Sequence, residues 1–266
     1  MNFVVALKAE AGPLIEFFKL SKQSSEELPL FTNDNHRLVL SGPGKELSAK
    51  ATAFLRNRFP LPNQAWLNFG LAGHGSLPVG KIFLANRILD KQERAFYPTQ
   101  CLKHKLESSA LRTCSFPLSG YPEAIGFDME ASAFCKTASP FSIRELIQVI
   151  KVVSDNPDYP VDTFDRSSAG ALIEKALPSL LPVVDQLETI AKKIELPMGL
   201  KEHIDSVFSL HPFSETQCHQ IRKLLTHAHA LGASKKDTLQ LVMEATSEKQ
   251  AISNLSNSLE NHRILQ

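Results

Sequence analysis

Three apolar runs in this chain end directly in polar stretches of small residues, and this repeated junction limits the fold more than any other feature. Arg37–Leu40 runs into Ser41-Gly42-Pro43-Gly44-Lys45, Trp66–Phe69 into Gly70-Leu71-Ala72-Gly73-His74-Gly75, and Leu146–Val153 into Ser154-Asp155-Asn156-Pro157-Asp158. Short apolar runs bounded in this way read as buried strands, and Phe3–Leu7 adds another. Leu28–Thr32 and Arg37–Leu40 flank Asn33-Asp34-Asn35 as in a hairpin, and Ile82–Ile88 is a further strand. Helical spacing alternates with these runs. Leu14, Ile15, Phe17 and Phe18 follow a Pro13 suited to a first turn, Ala49, Ala53, Phe54 and Leu55 form a second face, and Asp128-Met129-Glu130 opens an Ala-rich helix to about Ala138. Strands alternating with helices predict an α/β fold, a sheet with helices packed on its faces. In such folds ligands collect at the carboxyl ends of the strands, where all three polar stretches lie.

Composition narrows the ligand. Lys and Arg number 29 against 28 Asp and Glu, with no basic run, which argues against nucleic acid and for a small molecule. The apolar share of 43% excludes a disordered chain. After five apolar residues the N-terminus carries Lys8 and Glu10, so it predicts neither a signal peptide nor a membrane span. Cys101, Cys114, Cys135 and Cys218 are scattered, as expected of reduced cysteines in a cytoplasmic protein.

Four acids sit at predicted strand–helix junctions: Glu10, Asp128, Glu130 and Asp155. Each alone reads as an ordinary acid at a helix start. Together, in a fold that brings such junctions to one edge, they point to chemistry.

Six segments, Val5-Ala6-Leu7-Lys8-Ala9-Glu10-Ala11, Ser41–Lys45, Asn68–Gly73, Val79-Gly80, Asp128-Met129-Glu130-Ala131 and Val153-Ser154-Asp155-Asn156, stand in the order found in one enzyme superfamily. Over roughly residues 1–195 the sequence resembles the nucleoside phosphorylases and nucleosidases, nearest to those acting on methylthioadenosine, adenosylhomocysteine or futalosine. The resemblance implies a three-layer fold, a mixed central sheet flanked by helices, and cleavage of the N-glycosidic bond of a purine-type nucleoside. It implies Asp155 as general acid toward the leaving base, Glu10 as the carboxylate orienting the attacking water, and Glu130 as the partner of the ribose hydroxyls, with Met129 packed on the sugar. Asp128, Gly70, Leu71, Ala72, Gly73 and Ser154 complete the implied substrate-binding set. A homodimer follows from the same resemblance; no cofactor and no metal are expected. Charge distribution in the reaction suits this division, because the sugar turns positive and the base negative as the bond breaks.

Phosphorylases of the superfamily carry Arg-x-Gly-Ser/Thr before the glycine loop, where this chain reads Asn68-Phe69-Gly70-Leu71. Water is therefore favoured as nucleophile, and Lys45, the one candidate phosphate partner, reads as solvated. Residues 91–125 have no clear periodicity and are shorter than the family's equivalent stretch, leaving Phe96, Tyr97 and Phe116 as aromatics for the base. Two rivals stay open: a phosphorylase, and a non-catalytic nucleoside-binding or scaffold protein. His74 reads as loop-stabilising, and His227 and His229 point to different helix faces and cannot share a metal.

A long helical stretch over Ser167–Ile194 contains Pro178 and Pro182, which predict a kink or division. Pro197-Met198-Gly199 reads as a linker between a domain of residues 1–196 and a helical appendage of residues 197–266. In the appendage Ser214 and Gln217 form a capping-box pattern, Gly232 ends that helix, and Ser234 caps the next.

Overall fold

Strand β1 (Asn2–Val5) is buried along its length, and its side chains alternate between two cores, Phe3 and Val5 in one and Val4 in the other. That alternation, repeated along the sheet, sets up the layers. The computed structural model describes residues 1–61, 63–90, 92, 94–99, 101–118, 120–194 and 198–264. After β1 come α1 (Lys8–Phe17), β2 (Ser21–Gln23), β3 (Leu30–Thr32), β4 (Arg37–Leu40), α2 (Lys45–Arg58) and β5 (Trp66–His74). These are followed by β6 (Ile82–Leu89), β7 (Ala95–Phe96), β8 (Glu107–Thr113), β9 (Gly126–Asp128), α3 (Ala131–Ala138), β10 (Ile147–Asp155) and α4 (Ala169–Lys193).

Strand β5 is the hub of the mixed sheet. It runs parallel to β1, with Trp66 opposite Asn2, and parallel to β10, from Ile147 opposite Trp66 to Val153 opposite Ala72. Its end pairs antiparallel with β9, Gly73 opposite Phe127. Because β10 also pairs with β6, β6 with β8, and β8 with β9, five strands close on themselves. From β1 the sheet continues through β4, β3 and β2 as an open wing, and β3–β4 is the expected hairpin. Helices α1 and α4 bury Leu14, Ile173, Leu180 and Val184 against one face of the sheet. On the other face α2 and α3 bury Leu55, Phe134 and Cys135. The architecture is three-layered, as the strand–helix alternation predicts.

Several local expectations are corrected. Gly70–His74 is not a turn-rich loop but the second half of β5, held by β10 on one side and β9 on the other. Among described residues the glycines with positive φ are Gly42, Gly44, Gly80 and Gly232, so Gly70 and Gly73 serve close approach rather than a turn. Pro13 lies in the second turn of α1, since that helix starts at Lys8. Asp128 ends β9, and the helix after it begins only at Ala131. Helix α4 is undivided although Pro178 and Pro182 lie inside it. Both prolines are exposed, so the carbonyls of Glu174 and Pro178, deprived of their partners, are one turn back on the solvent-facing stripe.

The chain divides into two units, Met1–Ile194 and Glu195–Gln266. The 196/197 boundary read from the sequence falls in residues 195–197, outside the described residues. Met198 and Gly199 are not linker but the start of α5 (Met198–Phe208), followed by α6 (Glu215–Ala230), α7 (Lys235–Met243) and α8 (Glu248–Ile264). The second unit has its own core, in which Leu200, Ile204, Ile221, Leu225 and Leu255 meet. Ser214 and Gln217 form the capping box, the Ser234 side chain caps α7, and Gly232 follows α6 at φ 74°. The four cysteines are free, and among described residues no helix is long and apolar enough to cross a membrane.

Candidate active site

The ends of β1, β5, β9 and β10 surround a cavity of about 370 Å³. Its lining includes the carboxylates of Glu10, Asp128, Glu130 and Asp155, brought together from positions far apart in the chain. Leu71, Ala72, Gly73, Met129 and Ser154 also line it; Gly70 does not, and lies beneath Glu10.

Glu10 stands in the first turn of α1 and is buried. Its Oε2 accepts the Leu7 backbone N–H at 2.9 Å, half of a capping box. Its Oε1 accepts the Leu71 N–H at 2.8 Å, tying the helix to β5. The main chain of residue 71 therefore serves the site. Gly70 makes this approach possible, because a Cβ there would lie 2.9 Å from Oε1. Burial raises the Glu10 pKa, opposed by these backbone donors and by Lys151.

Glu130 precedes α3 and reaches across to the start of α2, where the Gly44 N–H donates to its Oε1 at 2.7 Å. Gly44 has φ 104°, a conformation that favours glycine. Burial raises the Glu130 pKa as well, opposed chiefly by Lys151. Asp128 is bound on both oxygens, Oδ1 accepting Thr113 Oγ1 at 2.8 Å and Oδ2 the Ala131 N–H at 2.9 Å. Although it reaches the cavity wall, these bonds make Asp128 a support for the site.

Lys151 explains how so many acids share one place. It lies in the middle of β10, fully buried, with Nζ 3.0 Å from Asp128 Oδ2 and 3.9 Å from Glu130 Oε2. Burial lowers its pKa, but Asp128, Glu130 and Glu10 outweigh that and leave it raised, so it stays a cation. The sequence reading passed over Lys151 as part of an apolar strand. A lone charge in a fully buried run was the signal, since such a charge requires partners.

Asp155 ends β10 at a bulge: Val153 pairs with Ala72 and Asp155 with Gly73, so Ser154 is the extra residue. The Ser154 hydroxyl donates to Asp155 Oδ1, and the Tyr121 hydroxyl donates to Oδ2 at 2.5 Å. Burial, and then Asp155 itself, push the Tyr121 phenol well up, so it stays protonated. Tyr121 belongs to the aperiodic middle segment, where no spacing marked it. Of the aromatics expected to meet a base, Phe116 lines the cavity mouth at 78% exposure. Phe96 instead packs on the α3-side core, with the Arg144 guanidinium 5.8 Å from its ring, and neither it nor Tyr97 reaches the cavity.

His74 is buried away from the cavity. Its Nδ1 accepts the N–H groups of Ser76 and Leu77, each at 3.0 Å, so Nε2 carries the hydrogen and meets Ser109 Oγ at 2.9 Å. Burial lowers its pKa. This is the loop-stabilising role. Lys45 is outside the cavity lining and donates to Ser115 Oγ at 3.4 Å.

The fold is shared with solved nucleosidases and a futalosine hydrolase. The chain is similar to the 5'-methylthioadenosine/S-adenosylhomocysteine nucleosidase of Helicobacter pylori, solved with butyl-thio-DADMe-Immucillin-A: 15% identity, 70% of this chain and 97% of that one, TM-score 0.60. It is similar to the corresponding nucleosidase of S. pneumoniae, solved with a transition-state inhibitor: 19% identity, 68% and 96% coverage, TM-score 0.57. The futalosine hydrolase of Helicobacter pylori strain 26695 aligns at 14% identity, 70% and 97% coverage, TM-score 0.58. Comparison with protein-family models and with curated protein sequences finds no match.

Proposed function

We propose that this protein hydrolyses the N-glycosidic bond of a purine-type nucleoside. One observation carries the reading: Glu10, Glu130 and Asp155, the acids of three separate junctions, line one cavity of about 370 Å³. That volume falls in the range of small-ligand sites.

In this reading Asp155 gives a proton to the departing base. Glu10, held at both oxygens by backbone N–H groups, keeps lone pairs for the attacking water. Glu130, whose Oε1 accepts from Gly44 and whose Oε2 accepts only the longer Met129 N–H bond at 3.3 Å, keeps lone pairs for the ribose hydroxyls. Met129 covers the sugar. The anionic side of the cavity meets the oxocarbenium-like sugar, while Lys151 behind it keeps the carboxylates together. Among the described residues lining the cavity there is no Lys or Arg, which supports water over phosphate as nucleophile.

The test is to incubate the protein with a panel of purine nucleosides and assay free base with and without phosphate. Release without phosphate is expected, and Asp155→Asn abolishes it. Strict dependence on phosphate makes the protein a phosphorylase, and binding without release from any nucleoside makes it a non-catalytic binder.

A further inference from the structure

Tyr121 has no part in the mechanism above, yet its hydroxyl is the shortest partner of Asp155 Oδ2, at 2.5 Å. We propose that Tyr121 is a positioning residue for the acid step, pinning Asp155 so that its transferable proton is carried on Oδ1, beside Ser154. The inference rests on Asp155 acting as the acid in the reading above.

The two oxygens of Asp155 have different neighbours. Among the described residues, the one hydrogen bond of the Tyr121 hydroxyl is its donation to Asp155 Oδ2. A neutral carboxyl accepts best at its carbonyl oxygen and donates from its hydroxyl oxygen. A donor locked on Oδ2 therefore makes Oδ2 the carbonyl-type atom. The partner of Oδ1 is the Ser154 hydroxyl, which can rotate, donating to a carboxylate and accepting from a carboxylic acid. One oxygen is committed, and the other can exchange a proton.

Packing keeps the tyrosine there. A Cβ on Gly73 would lie 2.5 Å from Asp155 Oδ2 and 3.0 Å from Tyr121 Cε1, so ring and carboxylate occupy the space a side chain would take. The ring also meets Phe127 edge-on, centroids 6.2 Å apart.

In the step itself the O–H bond on Oδ1 breaks as an N–H bond forms on the base, and the electron pair of the glycosidic bond leaves with the base. Asp155 becomes a carboxylate whose new charge is met at once by the hydroxyls of Tyr121 and Ser154. Hydrogen bonds to an ionised acceptor are stronger than those to a neutral one, so Tyr121 favours the transition state over the ground state. Water supplies hydroxide to the sugar and its proton to Glu10, which releases it to solvent as solvent returns one to Asp155.

The closing experiment has a kinetic arm and an arm independent of turnover. Tyr121→Phe keeps the ring and removes the donor. It is expected to lower kcat for purine release roughly 10- to 100-fold, the worth of one hydrogen bond to a charged group, with KM little changed. With a p-nitrophenyl riboside, whose leaving group departs without a proton, the loss is expected to be within about twofold. A loss confined to KM, or equal for both substrates, overturns the proposal. In the second arm the phenols are titrated by ultraviolet absorbance. The chain has three tyrosines, and Tyr97 and Tyr159 are 54% and 66% exposed. The wild type is expected to show one phenol that resists ionisation, with Asp155→Asn easing it and Tyr121→Phe removing it. Three phenols ionising together overturn the contact and the proposal with it, whatever the activity. A resistant phenol in a protein that releases no base overturns the nucleosidase reading, and the acid-step role of Tyr121 falls with it.

Discussion

Gly73 and Asp155 lie side by side on neighbouring strands, so close that a Cβ on the glycine would stand 2.5 Å from the aspartate Oδ2. The acid is thus seated in a notch that only glycine leaves open. Gly73→Ala should force the Asp155 and Tyr121 side chains, both movable, off their present positions while the strands stay paired. Misplacing a reacting group by about 1 Å can cost on the order of 100-fold in rate. Base release is expected to fall by about that factor with thermal stability nearly unchanged, as rate assays and melting curves on one preparation would show. A variant with full activity would mean that the notch does not position the acid.

Gly70 stands in the same relation to Glu10, its virtual Cβ 2.9 Å from Oε1. Gly70→Ala should drive Oε1 away from the Leu71 N–H, leaving a buried donor unpaired. Such a loss destabilises by about 1–3 kcal/mol. Urea denaturation should report that loss along with a fall in kcat. Unchanged stability would mean that Glu10 moves without breaking its tie to β5.

Lys151→Met should be the most damaging of these changes. It leaves Asp128, Glu130 and Glu10 without their buried cation, and breaking one side of such a cluster costs about 3–5 kcal/mol. The deficit should also depend on pH. Burial raises the pKa of Glu10 and of Glu130, and Lys151 holds each rise in check. A carboxyl with a raised pKa binds its proton more readily folded than unfolded. It therefore takes stability away as pH climbs from the ordinary Glu range through the raised value. Without Lys151 that window widens upward, so the variant should be weakest near neutral pH and recover ground on acidification. Urea melts over a pH series would reveal this, whereas a pH-independent deficit would contradict it.

His74→Phe tests the scaffold apart from the chemistry. The substitution strands the N–H groups of Ser76 and Leu77, a loss of about 2–4 kcal/mol, while the Ser109 hydroxyl keeps its bond to the Ala110 carbonyl. Because burial lowers the His74 pKa, the unfolded chain takes up this proton first as pH falls below the ordinary His range. The wild type should lose stability there, and the variant should lack that component of the slope. KM for the nucleoside should be unaffected in the protein that remains folded; a large change in KM would put His74 at the ligand.

Much of the architecture was legible because it rests on local periodicity. The apolar runs at Phe3, Trp66 and Leu146 had to be buried strands, and the Ser214–Gln217 and Ser234 caps follow from which side chains can accept a backbone N–H. Glu10, Asp128, Glu130 and Asp155 were recognisable because each sits at a junction that the fold type sends to one edge. Gly70–His74 was misread because glycines mark turns in isolation, while here two neighbouring strands keep the segment extended and the missing side chains leave space for carboxylates.

Local pattern sufficed for most strands and helices outside residues 91–125 and for the acids at their junctions, since both depend on residues close in the chain. Folding in three dimensions sets Lys151 among acids contributed by β9, α1 and the start of α3, and bonds Tyr121 to Asp155. Those contacts join residues separated by up to 141 positions or drawn from an aperiodic segment. Their energies come from burial and close approach, which no local pattern encodes.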